Sequence, residues 1–275
     1  MKKFLESEIP DLASDECLFH IIPAPIEKTV SYGGGTAKGP EAILDASYQL
    51  EAYDGESCPC ERGIHTRETA RSLEDIETAF CEVLKAGKIP VMLGGEHSVS
   101  IPAIQALINS GEEFGIIHFD AHADLRSEYE GDPLSHACAL HAAVQNNIPL
   151  FQIGVRALSL PEVKLREEKN IRYLDGYEIG CHGIPINLLP EDFPEKVYVT
   201  IDVDGLDPSI MPSTGTPEPG GLTWFQTFEC LKQIVKNKTV IGFDVVELAP
   251  IENLHAPDFL VARLIYNFMG LITRK

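Results

Sequence analysis

Six short apolar runs punctuate the chain, at residues 17–22 (CLFHII), 89–95 (IPVMLGG), 114–120 (FGIIHFD), 150–155 (LFQIGV), 196–202 (KVYVTID) and 239–246 (TVIGFDVV). Each is brief, rich in Val and Ile, and apolar at consecutive positions. A strand that shows one face to water alternates instead, so these runs predict strands buried on both faces. Helix-like spacing fills the gaps, at residues 40–47, 73–86, 98–109, 136–145, 223–236 and 257–273. Strand and helix in alternation predict a parallel sheet with helices on both faces. No repeat, linker or composition break divides residues 1–275, which predicts a single domain.

Polar residues follow these runs in a regular way. Glu96 and His97 come after IPVMLGG, and Asp120, His122 and Asp124 after FGIIHF. Asp202, Asp204 and Asp207 come after KVYVTI, and Asp244 and Glu247 after TVIGF. In open parallel sheets ligands bind beyond the carboxyl ends of the strands, so these groups point to one rim. Alternate residues of a near-extended chain share a side, so DAHAD offers three donors to one place. Four carboxylates in one crevice cannot all stay ionised without a counter-charge. No Lys or Arg stands in the strips themselves. Two divalent cations would balance them, and oxygen donors with one or two imidazoles suit Mn²⁺ or a similar ion. Each piece also has a plainer use. His97 could cap the helix expected from Ser98, Asp202 and Asp204 could shape a turn, and DxHxD could hold one structural ion.

Composition narrows the partners. Asp and Glu number 42 against 22 Lys and Arg, a net charge of −20. Such a surface disfavours nucleic acid and anionic membranes and attracts small cations, within the reach that salt allows. With 44% apolar residues the chain can build a sizeable core. MKKFLESEIP lacks the apolar segment of a signal peptide, and no apolar run is long enough to span a bilayer. Seven scattered cysteines, with Cys58 and Cys60 in a CPC, predict reduced thiols and a cytoplasmic location. SYGGGTAKGP, residues 31–40, has neither phosphate-loop nor dinucleotide spacing and reads as a long loop.

GGEHS, DAHAD, DVDGLDP with GTPEPGG, and DVVELAP resemble, in order, the signature blocks of the ureohydrolase (arginase/agmatinase) superfamily. PAPIEKTVSYGGGT looks like the agmatinase branch, and the likeness runs from about Pro23 to Pro250. The resemblance implies a three-layer α/β/α sandwich with a mostly parallel eight-stranded sheet, an arginase-like fold. It implies two Mn²⁺ ions per subunit, one on His97, Asp120, Asp124 and Asp202, the other on His122, Asp120, Asp202 and Asp204. Asp120 and Asp202 would bridge. A hydroxide between the metals would attack a guanidinium carbon to release urea. Glu247 would grip the guanidinium, supported by Thr216, and His136 would carry a proton to the leaving amine. Ser-His-Ala stands here where the family often has Ser-His-Gly, with Cys138 where Thr is common. His141 reads as a surface histidine. A homo-oligomer, trimer or hexamer, is also implied.

The likeness says less about substrate. Arginase holds its substrate's α-amino and carboxylate groups with a polar loop after DxHxD. Here that loop, RSEYEGDPLS, carries Glu128, Glu130 and Asp132, which would repel a carboxylate unless Arg126 or Arg156 helps. A small cationic guanidino substrate is therefore expected, agmatine first, yielding putrescine and urea. Arginine, guanidinobutyrate and formiminoglutamate are the alternatives within the same site. A one-zinc deacetylase relative and a non-catalytic metal-stabilised scaffold are the readings from other classes.

Overall fold

A computed structural model describes residues 2–10 and 12–274. Eight strands form one sheet in the order β2-β1-β3-β8-β7-β4-β5-β6. They are β1 (Phe19–Ala24), β2 (Ile64–Thr66), β3 (Ile89–Gly94), β4 (Gly115–Phe119), β5 (Leu150–Ile153), β6 (Arg172–Leu174), β7 (Lys196–Asp202) and β8 (Thr239–Val246). Every neighbouring pair is parallel. The helices are α1 (Gly39–Ser47), α2 (Leu73–Lys85), α3 (Ser100–Ser110), α4 (His141–Gln145), α5 (Leu160–Glu168), α6 (Gly176–His182), α7 (Trp224–Asn237) and α8 (Ala256–Thr273).

The six apolar runs are the six longer strands, and their two-sided burial has a direct cause. Ile21, Val91, Ile117, Val199 and Phe243 face a core shared with α1, α7 and α8. Their chain neighbours Ile22, Met92, Ile116 and Tyr198 face the other core, shared with α2, α3 and α4. Alternate residues thus serve alternate layers, and the sandwich has three layers. The expected α/β/α architecture holds, and the sheet is parallel throughout rather than mostly so.

Four elements lie outside the periodic pattern. β2 and β6 are three-residue edge strands, and β6 exposes Arg172 and Tyr173. α5 exposes Leu160 and α6 exposes Tyr177, so neither shows a clean apolar face. The helix expected over residues 136–145 is broken into a 3₁₀ turn, His136–Cys138, and the short α4. The long loop over residues 31–40 is a loop up to a 3₁₀ turn at Thr36–Lys38. No helix among the described residues is long and apolar enough to cross a membrane.

Strand order decides which side chains meet. Four consecutive central strands, β3, β8, β7 and β4, deliver their polar strips to one rim. The opposite end of the sheet carries a different polar pair. His20 is 5% exposed, both of its ring nitrogens lack partners, and its ring lies 5.2 Å from that of His65. Burial, with His65 and Arg67 nearby, holds His20 down to about 4.

A histidine kept neutral by burial binds fewer protons folded than unfolded. Stability therefore falls as pH drops below about 6.5, the unfolded value, and the loss is complete near pH 4. The contribution reaches about 3 kcal/mol by that point. Denaturant unfolding of metal-free protein should show this, and a His20→Phe variant should lose less stability over the same pH window. Equal slopes for both proteins would discount the His20 contribution.

Candidate metal centre

The centre starts with a close approach of two chain segments. Gly205, in DVDGLDP, packs so that a Cβ there would lie 2.9 Å from the Asp120 backbone nitrogen. That contact presses the β7 turn against the β4 strip, and the Asp204 carboxylate accepts the Ala121 N–H at 3.0 Å. Asp202 in turn accepts the Asp204 N–H at 2.8 Å. On the β3 side, Gly95 lies where a Cβ would meet the Ile26 carbonyl oxygen at 2.1 Å. The chain can then turn immediately, and His97 enters the rim. Asp124 and Glu247 adopt left-handed backbone angles, φ 50° and 65°. Such angles are uncommon for these residue types and gather at functional sites.

Two groups of donor atoms result, each within 4.8 Å. One is His97, His118, Asp120 and Asp124; the other is Asp120, His122 and Asp204. Asp120 belongs to both, as a bridge would. His97 Nδ1 lies 3.0 Å from Asp124, 3.3 Å from Asp120 and 3.5 Å from Asp202. His122 Nδ1 lies 3.0 Å from Asp204 and 3.4 Å from Asp120. Asp202 borders the first group without falling inside either. His118, which no motif in the sequence singles out, stands within it.

The charges reflect the crowding. Burial, then the neighbouring Asp204 and Asp120, hold Asp202 well above the usual carboxylate range. Burial and Asp120 raise Asp204, and burial pushes Glu247 up to about 8 against the His97 N–H it accepts. Asp120 goes the other way: burial would raise it, but His118, His122 and His97 hold it well below. Burial works against His122, yet Asp120 and Asp204 push it to about 12. The cluster thus takes up protons in place of a cation.

One buried atom shows that a metal fits. Thr200 donates its hydroxyl to Asp244 at 2.6 Å. With that hydrogen engaged, Thr200 can only accept from His97 Nε2, 2.9 Å away. In the neutral ring that a bound metal requires, His97 Nδ1 is then a bare lone pair, buried and ringed by carboxylates, which without a cation hold the ring protonated instead. A lone pair faced by anionic oxygens is an arrangement that a cation relieves. The absence of cysteine from the set favours an oxygen-preferring ion over structural zinc.

Above the cluster opens a cavity of about 350 Å³, lined by Asp124, His122, Asp202, Asp204, His136, Thr216 and Glu247 among others. Glu247 accepts the His97 N–H at 2.7 Å. His136 Nδ1 lies 3.2 Å from Thr29 Oγ1, and the His136 N–H donates to that oxygen at 3.0 Å. Glu96 fixes Thr29 by accepting its N–H at 2.6 Å. All the expected site residues therefore gather in the cluster or the cavity above it. Thr216 differs in its contact: it reaches Asp204 at 3.4 Å, with no hydrogen bond to Glu247.

Other expectations change. Asp207 serves a turn, accepting from Ser209, Gly220 and Gly221. Asp244 lies within β8 and ties together Ser100, Tyr198 and Thr200. Glu128, Glu130 and Asp132 do not line the cavity; Arg126 and Tyr129 from that loop do. Arg156 gives its guanidinium to the carbonyls of Gly154, Asp204, Gly205, Leu206, Glu218 and Pro219, so it is tied to the backbone. His141 is half-buried, with Nδ1 3.0 Å from the Leu125 carbonyl.

Fold and site define an α/β enzyme with a buried His/Asp cluster able to hold metal ions at the carboxyl rim of a parallel sheet. The chain belongs to the arginase family, whose model matches residues 18–270; it is a hydrolase of the ureohydrolase type, acting on carbon–nitrogen bonds. It is 36% identical to an N(1)-aminopropylagmatine ureohydrolase of Synechocystis, covering 98% of this chain and 93% of the relative. It is 35% identical to an agmatinase of Bacillus subtilis, covering 82% of each. The agmatine ureohydrolase structure of Thermoplasma volcanium superposes with a TM-score of 0.88 at 27% identity, covering 100% of this chain and 95% of that one.

Thr200→Val keeps the shape and removes the acceptor that fixes His97. Loss of such a partner typically lowers metal affinity about 10–100-fold. Titration with Mn²⁺, reading free ion by electron paramagnetic resonance, should show a weakening in that range with the fold intact. Unchanged affinity would break the link between Asp244, Thr200 and His97.

Proposed function

We propose that this chain uses two Mn²⁺ ions to hydrolyse the guanidino group of agmatine, giving putrescine and urea. The observation that carries the choice of a cationic substrate is the charge of the cavity wall. Bound ions would balance Asp124, Asp202 and Asp204; beyond these, the described lining residues keep Glu162, Glu218 and Glu247 against one guanidinium, Arg126. That remaining wall is acidic on balance, so it disfavours a substrate carboxylate and favours a second cationic group.

His97, Asp120, Asp124, Asp202, His122 and Asp204 would hold the ions. Bound there, the pair would supply a water acidic enough to act as a nucleophile near neutral pH. The remaining work belongs to the chain. Glu247 spends one oxygen on the His97 N–H, which leaves the other to accept from the guanidinium and orient its carbon. Thr29 and Ser135 engage Nδ1 of His136. Its Nε2 is left for moving a proton to the departing amine. Thr216, through Asp204, steadies the floor of the cavity.

A second reading keeps the chemistry and lengthens the substrate: N1-aminopropylagmatine, the compound named for the Synechocystis relative. The half-buried Glu218 and the exposed Tyr32, both at the cavity wall, support it, since they leave room for a further cationic arm.

The test is urea release from agmatine, N1-aminopropylagmatine, arginine and guanidinobutyrate with Mn²⁺-loaded enzyme. The two cationic substrates are expected to turn over, agmatine with the higher kcat/KM, and the two carboxylates poorly. Arginine turned over as well as agmatine would overturn the proposal. A higher kcat/KM for the longer substrate would select the second reading. His136→Ala should lower kcat by about 10²-fold or more, as loss of a general acid does, with metal content unchanged. Asp202→Asn should lose most activity and at least one ion. Two ions retained at full activity would remove Asp202 from the centre.

A further inference from the structure

One step below the rim, a row of polar side chains crosses an otherwise apolar face of the sheet. Strand register places Asp244 beside Thr200, Thr200 beside His118, and His118 beside Gln152. All four are fully buried. The Asp244 end serves His97 through Thr200. The Gln152 end has no role in the proposed reaction, and His118 there approaches Asp120 at 2.7 Å.

The hydrogens along this end can be assigned from its two termini. Arg166 can only donate, and its Nε donates to Gln152 Oε1 at 2.8 Å. The Ala123 carbonyl can only accept, and it takes a hydrogen from Gln152 Nε2 at 2.8 Å. The Gln152 amide therefore has one orientation. Its second N–H faces His118 Nδ1 at 2.9 Å, so Nδ1 accepts. The hydrogen of the neutral ring is then on Nε2, and it donates to Asp120 Oδ2. Arg166 is itself anchored by Asp175, at 3.0 and 3.1 Å.

We propose that His118 and Gln152 are positioning residues for the metal centre, and that His118 is not a metal ligand despite standing among the donors. His118 aims the Asp120 carboxylate by occupying one lone pair with an N–H. Gln152 holds both His118 and the backbone of Ala123, which lies between His122 and Asp124. Three donors of one strip thereby take their orientation from a single amide. The inference rests on the proposal that the cluster binds Mn²⁺, and concerns how that site is held.

The experiment titrates Mn²⁺ alone into wild type, His118→Phe, His118→Gln and Gln152→Glu, with circular dichroism of the metal-free proteins as the fold control. His118→Phe removes the N–H and should raise the Mn²⁺ Kd about 10–100-fold. His118→Gln keeps an N–H near the place of Nε2 and should recover most of that loss. Gln152→Glu still accepts from Arg166 but cannot donate to His118 or Ala123, and should weaken binding at least tenfold. Nitrogen-15 spectra of the histidines in metal-free wild type should show His118 with its hydrogen on Nε2. The opposite tautomer, or a His118→Phe Kd within twofold of wild type, would overturn the proposal. So would loss of one Mn²⁺ per chain at saturating metal in both His118 variants, which would make His118 a ligand. Wild type that takes up no Mn²⁺ would instead overturn the metal-site reading itself.

Discussion

The structure turns on a group of carboxylates buried where no lysine or arginine neutralises them. Asp120, Asp202 and Asp204 are each no more than 3% exposed, and Asp124 and Glu247 are nearly so. Taking a carboxylate out of water is expensive unless it is paired. In the protein without cations the cluster responds by retaining protons, with Asp202, Asp204 and Glu247 raised and His97 and His122 held protonated. A chain that needed only a stable fold would gain nothing from such a group. The proposed pair of divalent charges gives it a purpose, since bound ions would replace those protons.

The fold concentrates this charge through its strand order. β7 and β8 enter last in the chain yet fill the middle of the sheet, between β3 and β4. Their arrival brings groups far apart in sequence together, such as the His97 backbone N–H and the Glu247 carboxylate that accepts it at 2.7 Å. The close contact at Gly205 and the turn after Gly95 then take up the remaining space. Beneath them the polar row across β8, β7, β4 and β5 directs hydrogens in a settled sense. Its acceptor terminus, Asp244, draws a hydrogen away from the metal-facing side of His97. Its donor terminus, Arg166, drives one toward Asp120. Within the row itself, Asp244, Thr200, His118 and Gln152 each have partners, which makes a buried polar network of this kind tolerable.

Much of this was legible in the residues, for reasons that also explain what was not. Strands buried on both faces must be apolar at every position, so six of them stood out. β2 and β6 lie at the edges and need no such run, and α5 and α6 carry exposed apolar residues that blur their periodicity. The donors were legible because they cluster just past strand ends. Asp244 was misassigned because β8 runs on to Val246, and strand register sets Asp244 level with Thr200 and His118, two residues short of Asp202 and Asp120. His118 was overlooked for the converse reason, since it lies within the strand. A usable signal was nonetheless present. On β4 and β7 a polar residue, His118 or Thr200, stands two positions before a donor, and alternate residues share a face. That repetition marks a second tier below the rim.

Recognition of the substrate follows a different logic from the metal centre. The acids of RSEYEGDPLS look decisive in sequence, but Glu128 and Glu130 face solvent and the loop offers the cavity Arg126 and Tyr129 instead. The acidic groups of the wall come from elsewhere, from Glu218 after the β7 turn and Glu247 after β8. Glu162 contributes less than its position suggests, because the N–H groups of Leu125 and Ser159 and the Ser159 hydroxyl already occupy its oxygens. Arg156 stitches the Glu218 segment to the β7 turn through six carbonyls, which couples the cavity wall to the metal floor without adding a free cation to the cavity. Selection for a cationic guanidine, as proposed, then rests on Glu247 and Glu218, which bound ions would leave unbalanced, and the loops decide how long a substrate they can reach.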